Sequence, residues 1–140
     1  MHTLRQLLRF ALCALAFALA PAASARSPYD GVTVVTAQRV SGGTFTRAED
    51  AGHVKELMRE INGERGRLWT GYRGQLSPCA VRLTFFDGER RVGRLVLDGS
   101  QLIEFVGASE STGVAREVPR FEMNTVRKFA ARVQGSGCAR

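Results

Sequence analysis

The stretch Cys79–Gly107, CAVRLTFFDGERRVGRLVLDGSQLIEFVG, decides the fold. It carries two Asp-Gly pairs, Asp87-Gly88 and Asp98-Gly99, each set between β-branched, aromatic and leucine residues. Both residue types tolerate the positive φ of a tight hairpin turn, so Asp-Gly in this setting marks a hairpin. Two in succession predict a three-stranded antiparallel meander over about 79–86, 90–97 and 101–106. With three-residue turns, Asp87–Glu89 and Asp98–Ser100, one pleat carries Val81, Leu83, Phe85, Leu95, Leu97, Ile103 and Phe105 toward the core. The other carries Arg82, Thr84, Phe86, Arg90, Val92, Arg94 and Glu104 toward solvent. Gly93 then lies across from Leu83 and Phe105, a gap into which the Phe105 ring can lean. A two-residue turn would shift the pairing and, with it, the face each side chain takes.

Upstream of the meander, Val32–Val40 (VTVVTAQRV) is β-branched enough to add a strand. Thr46-Arg47-Ala48-Glu49 fits a capping box, and Ala51, Val54, Leu57, Met58 and Ile61 recur at helical spacing behind it. That pattern predicts a helix over about 47–62, stopped at Asn62-Gly63. Residues 63–78, GERGRLWTGYRGQLSP, read as loop around a short strand at 68–72. Downstream, 108–113 reads as a Ser/Thr/Gly-rich loop. Val126, Phe129, Ala130 and Val133 predict a second helix over about 124–133. The implied architecture is a single α+β domain, a helix and a C-terminal helix packed on an antiparallel sheet.

The N-terminus has a different character. Arg5 and Arg9 precede the apolar run Phe10–Ala20, and Ala23-Ser24-Ala25 forms an A-x-A cleavage site. Eleven apolar residues fall short of the roughly 18 a membrane span needs, which disfavours the rival reading of a short anchor. Residues 1–25 therefore read as a secretory signal of bacterial style, and the protein as periplasmic or secreted. Cleavage leaves 115 residues, enough for one compact domain. Cys13 leaves with the signal, so Cys79 and Cys138 remain as an even pair in an oxidising compartment. A disulfide between them closes a loop worth about 4 kcal/mol on chain-entropy grounds.

The chain is basic, with 20 Lys+Arg against 13 Asp+Glu. Loss of Arg5 and Arg9 lowers the net charge from +7 to about +5. Only Lys55 and Lys128 are lysines. A GC-rich genome alone would favour arginine, but guanidinium forks also recognise carboxylate and phosphate. Export makes nucleic acid an unsuitable partner and points to acidic protein, lipopolysaccharide or wall polymer.

Few catalytic patterns fit. The sole histidine after the signal, His53, cannot anchor a zinc site by itself. Gly107-Ala108-Ser109-Glu110-Ser111 lacks the second glycine of a nucleophile elbow, and the glycines of 63–74 lack phosphate-loop spacing. No cofactor or metal is implied. A carboxylate pair for glycoside hydrolysis would fall to Glu104 and Glu110.

Recognition is better represented. Arg65, Arg67, Trp69, Tyr72 and Arg73 crowd one stretch, and Trp, Tyr and Arg are the types most enriched at binding hot spots. The plainer alternative is that Trp69 and Tyr72 cap the core while the arginines are solvated. The sequence thus leads to an exported, non-catalytic protein-binding module, such as an inhibitor or immunity-type protein occluding an acidic cleft of a hydrolase or toxin. A binder of anionic envelope polymer is second, and a carboxylate-pair hydrolase third.

Overall fold

The structure, a computed structural model, describes residues 23–108 and 110–138. Of the signal read over 1–25, residues 1–22 lie outside the described part. The chain runs β1 (Ser24–Ala25), β2 (Val34–Arg39), β3 (Phe45–Ala48), α1 (Ala51–Arg65), β4 (Leu68–Arg73), β5 (Val81–Asp87), β6 (Arg90–Asp98), β7 (Gln101–Phe105), β8 (Thr112–Glu117) and α2 (Asn124–Ala131). A 3-10 turn follows at Ser136–Cys138. The strands form one eight-stranded antiparallel sheet in the order β1-β4-β8-β7-β6-β5-β2-β3. Both helices cover one face, so the α+β expectation holds.

The meander is present, with two-residue turns in place of the three-residue ones expected. Asp87 pairs with Arg90 and Asp98 with Gln101, leaving Gly88-Glu89 and Gly99-Ser100 as the loops. In the first hairpin a bulge at Val92 compensates: Phe86 pairs with Arg91 but Phe85 with Gly93. Leu83↔Leu95 and Val81↔Leu97 therefore keep the expected core face. The second hairpin has no such correction, and a one-residue slip flips every side chain beyond it. Leu102 pairs with Leu97 and turns inward with Glu104, while Ile103 and Phe105 move to the outer face. Ile103 and Phe105 there join a small cluster with Ala80, Val96, Ala115 and Tyr72.

The first helix also differs from expectation. Phe45–Ala48 is strand β3, paired with β2, so Thr46 and Glu49 do not form a capping box. Asp50 caps α1 instead, its carboxylate accepting from the His53 amide at 2.9 Å. The helix continues past Asn62-Gly63 to Arg65, with Gly66 as its C-cap. Residues 112–117, expected partly as loop, form β8.

The core lies between the sheet and the helices. α1 contributes Val54, Leu57, Met58 and Ile61, the i, i+3, i+4, i+7 stripe of a half-buried helix. α2 and its extension contribute Val126, Phe129, Ala130 and Val133 at the same spacing. α2 starts from Met123 in the left-handed conformation (φ 58°) and has no side-chain cap of its own. Glu60 of α1 fills that role, accepting from the amides of Thr125 at 3.1 Å and Val126 at 3.0 Å. Cys79 and Cys138 form the expected disulfide, with Cα atoms 5.5 Å apart.

Candidate binding surface

The segment after β1 is clamped between α1 and β7. The Arg26 amide donates to the Arg65 carbonyl at 2.7 Å, and the Tyr29 amide and carbonyl both bond the Asn62 side chain. The Arg65 guanidinium lies over the Tyr29 ring, 3.7 Å from its centroid. It donates to the Ser27 carbonyl and to Glu104, each at 2.5 Å. Arg26 donates to the other Glu104 oxygen at 2.7 Å. The Tyr29 ring also fills the gap at Gly93, where a Cβ would collide with it. Phe105, expected over Gly93, lies instead on the outer face against Tyr72, and Tyr29, from outside the meander, takes the gap.

This cluster fixes how the fold responds to pH. Burial pushes the Glu104 carboxyl up, but hydrogen bonds from Arg26 and Arg65 outweigh it and hold the group below its usual range. Its contribution to stability is complete above the unfolded-state value near 4.5 and is lost as pH falls through the folded-state value. Tyr29 behaves oppositely. Burial first, then the Glu104 charge, push its phenol up to about 12, so its contribution is complete below pH 10.0 and is lost toward pH 12. In urea titrations the midpoint should fall as pH drops below 4.5. Glu104→Gln should lower the midpoint at neutral pH and flatten that acid dependence. An unchanged slope in the variant would assign acid sensitivity to other carboxylates.

Of the residues singled out between α1 and the meander, two are interior. Arg65 is 4 % exposed and serves the clamp. Trp69 is 1 % exposed, with its indole N–H on the Glu64 carbonyl at 2.9 Å. Tyr72 is half-buried on the opposite face of the sheet, edge-on to Phe105. Arg67 is exposed and pairs at 3.8 Å with Glu122, and Arg73 is exposed. The five residues therefore do not share one surface. Arg67, Tyr72 and Arg73 remain available, while Trp69 anchors β4 from within.

Glu104 and Glu110 are not brought together either. Glu104 faces the helices, whereas Glu110 pairs with Arg82 on the outer pleat. A different pair of carboxyls does meet, at the junction of α1 with the turn before α2. A hydrogen bond donated to Glu64 and that group's charge hold Glu122 above the usual carboxylate range. Burial works against Glu64, yet its bonds to Glu122 and to Arg116, at 2.5 Å, hold it below. The Oε2 of Glu122 is buried without a hydrogen-bond partner among the described residues. His53 sits half-buried on α1, edge-on to Phe129.

The distribution of charge partners is lopsided. Glu49, Glu56, Glu64, Asp87, Glu104, Glu110 and Glu122 each meet an arginine. Asp50 and Glu60 cap helices, and Asp98 and Glu117 accept from Ser77 and Ser100. Lys55, Arg73, Arg91, Arg94, Arg120 and Lys128 have no such partner among the described residues. Of the 13 acidic residues, all but Asp30 and Glu89 are engaged within the chain, and excess positive charge remains on the surface.

Arg91 and Arg94 stand beside an opening in the sheet. β6 and β7 pair only over Val96–Asp98 and Gln101–Ile103, and beyond that the strands part. The space, about 330 Å³, is lined by Tyr29, Arg91, Gly93, Arg94, Glu104 and Phe105 among others. Sequence reading placed Arg94 on the solvated pleat but not Arg91, which the bulge at Val92 brings opposite Phe86. Their lack of acidic partners is a property of the folded chain, with no local signal in the sequence. Comparison with family models, curated proteins and solved structures finds no match to this chain.

Proposed function

We propose that this chain is an exported, non-catalytic binding module that docks on an acidic surface of another periplasmic or secreted protein. An inhibitor or immunity-type protein covering an acidic cleft has this requirement. The observation carrying the reading is the set of cations without acidic partners among the described residues, Arg91 and Arg94 on the outer pleat of β6 and Arg73 at the end of β4, in a chain whose acids are mostly engaged within it. The strands fix the spacing of these arginines, and the planar guanidinium fork matches a carboxylate bidentately. Arg67 and Tyr72 precede Arg73 in the same stretch. The disulfide is compatible with an oxidising compartment, and no described helix is long and apolar enough to cross a membrane.

A pull-down from envelope extract tests this, with the oxidised chain from Arg26 beside an Arg73→Ala/Arg91→Ala/Arg94→Ala variant. The expected result is one acidic protein retained by the first bait and lost from the second. Retention of wall polymer or lipopolysaccharide alone, released by salt, would replace the protein partner with an anionic polymer. Equal retention of a protein by both baits would remove these arginines from the interface.

A further inference from the structure

We propose that the outer edge of β4 is a docking strand for an extended acidic segment, and that signal removal uncovers it; the partner's acidity rests on the function proposed above. β4 is the outermost long strand on its side of the sheet. Among the described residues its outer neighbour is β1, which covers the first two residues of β4, Ser24 pairing with Trp69 and Ala25 with Leu68. Cleavage after Ala25 falls between β1 and Arg26, so it removes the whole of β1.

The clamp then prevents the new terminus from covering the edge again. Arg26 stays tied to the Arg65 carbonyl and to Glu104, and Tyr29 stays tied to Asn62. After cleavage the Arg26 nitrogen is an ammonium lying on the last carbonyl of α1. The C-terminal end of a helix favours a cation there. Processing thus strengthens the tether while it vacates β4.

What is uncovered suits an extended chain. A strand without an outer neighbour presents alternate N–H and C=O groups, which an added strand can satisfy. Thr70 and Gly71 are exposed, and Leu68 is 63 % exposed, an apolar contact beside the open edge. Arg67 and Arg73 bracket the strand and favour carboxylates along the segment. The opposite edge, β3, is four residues long, and its Arg47 is already paired with Glu49 at 2.7 Å.

The test compares the chain from Arg26, the chain from Ala23 (which retains β1), and an Arg73→Glu form of the first. The probe is an acetylated Val-Glu-Val-Glu-Val-Glu peptide, followed by amide chemical shifts and hydrogen exchange. The chain from Arg26 should bind it with shifts and slowed exchange centred on 68–73. The chain from Ala23 and the Arg73→Glu form should each bind about tenfold more weakly. Equal binding by the chains from Arg26 and Ala23, shifts elsewhere, or no binding would each overturn the edge. The same two chains as pull-down baits separate the two proposals. An acidic protein held equally by both keeps the function and removes the edge; peptide binding at 68–73 with no acidic protein retained keeps the edge and removes the function.

Discussion

Arg65→Ala will cost about 3–5 kcal/mol of stability, the range for removing one partner of a buried ion pair. The side chain is 5 % exposed and makes three separate contacts: the Glu104 carboxylate, the Ser27 carbonyl and the Tyr29 ring. Truncation leaves Glu104 with Arg26 alone, the Ser27 carbonyl short of its donor, and a void beside Tyr29. Each is a named route to large destabilisation. Arg67→Ala is the matched control. Its arginine is exposed and its contact with Glu122 is long, so the change should stay below about 1 kcal/mol. Urea titration of both variants at neutral pH settles the contrast. A loss under about 1 kcal/mol for Arg65→Ala would mean that the clamp is not part of the stable core.

Removing the disulfide should have a comparable effect. Cys79 and Cys138 are 59 residues apart, and a loop of that length constrains the unfolded chain by about 4 kcal/mol. Against the roughly 5–15 kcal/mol typical of a domain, that loss leaves little margin. The expected result for Cys79→Ser/Cys138→Ser is a large drop in urea midpoint with a slope near that of the oxidised chain. An unfolding free energy within about 1 kcal/mol of the original would show that the reduced, unfolded chain is already confined.

How far these features were legible depends on the range over which each is determined. The meander, the β2 strand, the buried stripe of α1 and the cysteine pairing could be read because each rests on local pattern or on simple parity. The outer-face positions of Ile103 and Phe105 could not. They follow from a turn one residue shorter than expected, and only the first hairpin has a bulge to offset it. The capping box at Thr46 was a real local signal overruled by pairing with β2. β8 was hidden by Gly113, whose composition suggests a loop. A Cβ there would sit 2.8 Å from the Phe105 Cα, so the glycine permits close strand approach.

The binding stretch was legible in part. Arg/Trp/Tyr composition located β4 and its flanks, but strand alternation and α1's extra turn decide which side chains reach solvent. Trp69 and Tyr72 lie three residues apart in a strand, so they point to opposite faces. Arg65 became interior because α1 runs to that residue and carries it over Tyr29. Nothing within residues 63–74 announces Glu104, 39 positions from Arg65, as the partner.

The cap on α2 has a consequence for the order in which the chain folds. An eight-residue helix is well below the length that persists in water, and this one begins at a left-handed Met123 with no cap of its own. The carboxylate that satisfies its first amides belongs to Glu60, near the far end of α1. α2 therefore cannot nucleate by itself during folding. Its cap is complete only with α1 beside it, which ties the stability of the segment leading to Cys138 to the contact between the two helices.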